Sequence, residues 1–99
     1  MTTSQILVAA RARLTPETWG KGDNGDCLMR ALGQIVDRPT MTHAYSLLLT
    51  CTFGHFHGSL YKWNDAPERT LADVHALFDA AIAIAQEQEA VHPILQEAR

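Results

Sequence analysis

Trp63-Asn64-Asp65-Ala66-Pro67-Glu68-Arg69-Thr70, running into the segment Leu71 to Ala85, is the stretch that decides the fold. A tryptophan ring gains most from burial, and neighbouring Asn and Asp side chains bond to nearby backbone and shape a turn. Thr70-x-x-Asp73 then reads as a capping box, in which the two side chains satisfy each other's free backbone N–H groups at a helix start. Leu71, Val74, Phe78, Ala81, Ile82 and Ala85 recur at helical spacing behind it, with Leu77 at the stripe's edge. This predicts an amphipathic helix, ended by His92-Pro93, because proline cannot continue the hydrogen-bond ladder.

Three more helices follow from the chain upstream. Thr2-x-x-Gln5 caps a first, with Ile6, Leu7, Ala10 and Leu14 on one face, and Thr15-Pro16 stops it. A second runs from about Asp26 to Asp37 on Leu28, Leu32, Ile35 and Val36, with Gly33 inside it as a point of close helix approach and Arg38-Pro39 as its end. A third starts at Thr40 or Thr42 and turns Met41, Ala44, Tyr45 and Leu48 inward, with Gly54 as its cap. Residues 53–63 alternate aromatic and polar side chains between glycines and read equally as a loop or a short extended segment. The expectation is a mostly α fold: a compact bundle of about four helices in a single domain over residues 1–99.

Composition narrows the function. Apolar residues make up 46% and charged residues 19% of 99, which suits a folded domain with one modest core. A net charge of −3 with scattered Arg and Lys disfavours a nucleic-acid groove. No stretch has the length and apolarity of a membrane span, and Met1-Thr2-Thr3-Ser4 lacks the features of a signal peptide. Two loosely placed cysteines, Cys27 and Cys51, form no disulfide framework, so a reduced, cytoplasmic protein is expected.

Ala10-Arg11, Trp19-Gly20, Cys27 with Ala31-Leu32-Gly33, Trp63-Asn64-Asp65, Thr70, Val74 and Leu77 to Asp79 together form a pattern. In it the chain resembles a family of small bacterial and phage proteins over about residues 6 to 85. The resemblance implies a fold and a bacterial or phage origin, with no activity attached. Trp-Asn-Asp is its most specific element.

Four groups of residues invite chemistry. Cys27, with His55 or His57 as base and Asn64 or Asp65 as orienter, would make the Cys-His-Asn set of a thiol hydrolase. No local signature marks a catalytic cysteine, however, and a free Cys beside an apolar stripe is more often a small buried residue. Cys51, His55 and His57 offer three zinc-type donors, but Cys51 fits helical spacing while the histidine pair fits a strand, and no fourth ligand is marked. The loop Gly20-Lys21-Gly22-Asp23-Asn24-Gly25-Asp26 lacks the Gly-Lys-Ser/Thr of a phosphate loop and the closing Glu of a calcium loop; it reads as solvated. Trp63, Tyr61, Phe56 and Trp19 are the aromatic candidates for an interface, and Asn64, Asp65, Thr70 and Asp73 are assigned to turn and cap. These balances favour a non-enzymatic helical protein without a cofactor, binding another protein or a second copy of itself, with an inhibitor or modulator of a host protein as one form. The thiol hydrolase or transferase and the metal protein stand as alternatives.

Overall fold

The computed structural model describes residues 1–21, 24–52 and 60–91, and only the backbone of residues 38–40. Among the described residues five helices follow one another: α1 Thr3–Ala12, α2 Leu28–Gly33, α3 Arg38–Thr50, α4 Leu60–Asp65 and α5 Leu71–Val91. The described residues form no strand; their one bridge joins Trp19 and Asp26.

α5 is the spine. It buries Val74, Leu77, Phe78, Ala81 and Ala85, the stripe read from the sequence, while Ile82 and Leu71 are only partly covered. α1 lies antiparallel along it, which two contacts fix. Ser4 at the start of α1 gives both its backbone N–H (2.9 Å) and its hydroxyl (2.6 Å) to the Glu89 carboxylate near the end of α5. About two turns further along, Arg11 makes a side-on ion pair with Asp79, 2.8 Å from Nε and 3.2 Å from an η-nitrogen. Glu89 thus satisfies a free backbone N–H at the α1 N-terminus from across the bundle, where a carboxylate is electrostatically favoured. Thr2 and Gln5 complete that N-terminus with a reciprocal capping box. Ile6, Leu7, Ala10 and Leu14 fill the seam.

α3 packs against α5; its Ala44, Leu47 and Leu48, and Cys51 just after it, belong to the common core, and His43 meets Gln88 at 2.8 Å. His75 on α5 donates from Nε2 to the Leu14 carbonyl at 2.6 Å, tying the chain just after α1 to the spine.

The elements depart from the sequence expectations in four places. Residues 60–65 are neither loop nor extended segment nor free-standing turn: they form the short helix α4, which Trp63-Asn64-Asp65 closes. α2 ends at Gly33 rather than Asp37, and Ile35 and Val36 lie beyond it as partly buried residues. Gly33 is therefore terminal, and among the described residues a Cβ added to it would meet only the Met41 Cε, at 3.9 Å, so no described helix approaches its backbone closely. Arg38-Pro39 begins α3 instead of ending α2, because the fixed φ of proline is pre-organised for a first turn. Residues 53–59, with Gly54, and His92-Pro93 lie outside the described residues.

Candidate functional site

A helix advances by about 100° per residue, so three consecutive residues of α4 point three ways. Trp63 turns inward and is 8% exposed. The Arg69 guanidinium lies 3.8 Å from its ring centroid, and Arg69 Nε donates to the Trp63 carbonyl at 2.8 Å; the cation and the bond together close the turn between α4 and α5.

Asn64 is fully buried and uses both ends of its amide. Its Oδ1 accepts from the Trp19 indole Nε1 at 2.7 Å and from the Leu28 backbone N–H at 3.3 Å. Its Nδ2 donates to the Gly20 carbonyl and to Asp65 Oδ1, both at 3.0 Å. An amide oxygen accepts twice and an NH2 donates twice, so the side chain is saturated. Leu28 opens α2, and the residue before it, Cys27, supplies no side-chain cap. Asn64 supplies that cap from 36 positions away, and pins the Trp19-Gly20 loop to α4 in the same act. The loop is closed on itself by Asp26 N–H donating to the Thr18 carbonyl (2.7 Å) and Gly20 N–H to the Asp26 carbonyl (3.2 Å). Two glycines make that closure sterically feasible. A Cβ on Gly20 would collide with the Asn24 backbone, and Gly25 has a φ of +155° and the Thr18 carbonyl 2.8 Å from where its Cβ would sit.

Asp65 points the third way, into an open groove of about 700 Å³ bounded by α2, the start of α3 and α4. Cys27, Met29, Val36, Met41 and Tyr61 give it an apolar lining; Arg30, Gln34, Asp37 and Asp65 add the polar groups. Tyr61 is 51% exposed and lies one turn before Asp65 on α4, where i and i+4 share a face. Arg30 reaches Asp26 at 3.6 Å.

The structure thus brings Cys27, Tyr61 and Asp65 to one groove and keeps Trp63 and Asn64 behind it. Trp19 is half-buried, with Lys21 Nζ 5.9 Å from its ring. Thr70 and Asp73 sit at the start of α5, where Asp73 N–H donates to Thr70 Oγ1 (3.2 Å) and Thr70 N–H to Asp73 Oδ2 (3.0 Å). Phe56, His55 and His57 lie outside the described residues. The two described histidines, His43 and His75, are partly buried, bonded to Gln88 and the Leu14 carbonyl, and do not line the groove. Cys51 is buried under α3, and burial pushes its thiol above the usual range. No three metal-binding side chains cluster among the described residues. No described helix is long and apolar enough to cross a membrane. Sequence reasoning missed Arg69 over Trp63, the trans-cap from Asn64, and Met29, Met41 and Arg30 as groove residues, and no local signal in the chain marks them.

The model of a family of unknown function, DUF6197, matches residues 1–84, and the chain belongs to that family. Neither a curated protein nor a solved structure matches it.

Proposed function

We propose that this family member is a non-enzymatic interaction protein that docks a segment of another protein in the groove between α2, α3 and α4. The observation that supports this is the lining itself: two flexible thioethers and a half-exposed tyrosine, edged by charged groups. Methionine side chains adapt to varied apolar surfaces and are over-used where proteins bind peptides. Tyrosine contributes a large, stiff contact area at interfaces. The walls are braced by the saturated Asn64 hub, so the groove is preformed and association costs little ordering. One version, resting on the family resemblance alone, is a phage-encoded modulator of a host protein. A second copy of the chain is the other occupant this reading admits.

The thiol-hydrolase alternative retains one support, Cys27 at the groove. Against it, the Asn64 amide is already committed to four hydrogen bonds. That leaves Asp65 alone to orient a histidine.

The test is site-specific photocrosslinking in cells. Benzoylphenylalanine at Tyr61 is expected to give discrete heterologous adducts, and the same group at Val8, exposed on α1 outside the groove, is expected to give none. Equal adducts from both positions, or none from Tyr61, would contradict docking at this surface.

A further inference from the structure

We propose that the groove recognises a cationic side chain, an arginine or lysine carried by a basic segment of the partner protein; this rests on the docking reading above. Tyr61 and Asp65 share one face of α4 and both line the groove, with Asp37 at the α2–α3 connection contributing a second carboxylate. An aromatic ring with an exposed face beside carboxylates is what a guanidinium or ammonium binds: the ring quadrupole attracts it and the oxygens accept its N–H groups. Tyr61 is half-exposed, so about half of its side chain is within reach of a partner. Asp37 and Asp65 already take part in interactions within the fold; a carboxylate offers about four acceptor positions, so a bound cation would share these oxygens with those partners rather than displace them.

Charge balance points the same way. Arg30 is the sole basic residue among the described lining and Asp37 and Asp65 the acidic ones; Asp26, just outside, is the carboxylate that Arg30 approaches at 3.6 Å. Among the described lining residues the acids outnumber the bases two to one, and the net charge of −3 also favours encounter with a basic segment. Met29, Val36 and Met41 supply apolar surface for the methylene stem of such a side chain. The volume, about 700 Å³, is ample for one long side chain, and the groove is open, so the side chain can enter while attached to its backbone. The same negative lining disfavours phosphate and nucleic acid.

The experiment is an amide-resolved NMR titration of the full chain with three capped peptides of equal length, alternating leucine with arginine, glutamine or glutamate. The arginine peptide should move the signals of Cys27, Met41, Tyr61 and Asp65 saturably, and bind more tightly at low salt. The glutamine peptide should bind about tenfold more weakly, the equivalent of one charge-assisted contact, and the glutamate peptide not at all. The double variant Tyr61→Leu, Asp65→Asn should lose about tenfold for the arginine peptide; asparagine keeps an oxygen to accept from Asn64, and an unchanged melting temperature shows that the fold is intact. If the glutamine peptide binds as well as the arginine peptide, cation recognition is overturned while docking stands. Arginine-peptide shifts spread over Asp79 and Glu87 on α5, with no loss in the double variant, would mean diffuse charge attraction and overturn the inference. Arginine amide binding as tightly as the peptide would overturn a protein source. No shift in the groove with any peptide also overturns the inference, and the Tyr61 crosslinks then decide separately whether the docking reading falls with it.

Discussion

Asn64→Ala removes four hydrogen bonds without changing any helix-forming preference for the worse. Three groups lose their partner in or near the core: the Leu28 N–H at the start of α2, the Gly20 carbonyl and the Trp19 indole N–H. A buried polar group left without a partner costs about 1–3 kcal/mol. Trp19 is half-buried, so water recovers part of its loss, and a total of about 3–5 kcal/mol is expected. Against a typical stability of about 5–15 kcal/mol, that is a large fraction. In a domain of this size it lowers the melting temperature by roughly 15–30 °C. Urea unfolding followed by tryptophan fluorescence and by far-ultraviolet dichroism measures it, and coincident transitions establish that two states suffice. Asn64→Asp is the informative companion. It keeps both acceptors, loses both donors and sets a carboxylate against Asp65 and the Gly20 carbonyl, so it too should be strongly destabilised. A loss below about 1 kcal/mol for Asn64→Ala, the size of an ordinary surface change, would refute the hub.

Phe78→Asp and Val74→Asp place an unpaired charge at fully buried positions of α5, and should abolish the cooperative thermal transition; retention of it in both would show that the α5 face is misassigned. Gly33→Ala should raise stability by about 0.5–1 kcal/mol, since the position is helical and open apart from the Met41 Cε. Gly20→Ala should lower it clearly, because the obstacle is backbone; the two unfolding curves moving in the same direction would contradict this geometry. Iodoacetamide should modify Cys27, at the groove, before Cys51. Burial raises the Cys51 pKa, so less thiolate is present at any given pH and its labelling should wait for a higher pH or for unfolding; mass spectrometry finding Cys51 labelled first would refute the assignment.

The parts legible in the sequence are those governed by local rules. The α5 stripe repeats at helical period over several turns, and the capping boxes at Thr2 and Thr70 depend on residues three positions apart. What escaped depends on partners distant in sequence. Trp-Asn-Asp reads as a turn because Asn and Asp compete with helical backbone bonds. In α4 the Asn64 side chain instead finds its partners 36 to 45 residues away, and no pattern within the stretch announces them. Arg38-Pro39 reads as the end of the second helix yet opens α3 for a related reason: proline stops a helix in its interior but suits the first turn of the next, and the dipeptide alone does not distinguish the two. Cys27 at a helix start was visible as a position, but the groove beside it is assembled from α2, α3 and α4, none of which reveals the others.

Hydrogen exchange at the Trp19 indole and the Leu28 amide tests most directly whether Asn64 holds this groove in a single preformed shape. Both protons bond to the same oxygen, so both should exchange slowly and together, at rates approaching those of the buried α1 and α5 amides and therefore limited by cooperative opening. Exchange of either within the dead time of the experiment, while the α1 and α5 amides stay protected, would show a loop and helix start that open freely, and would contradict a preformed docking surface.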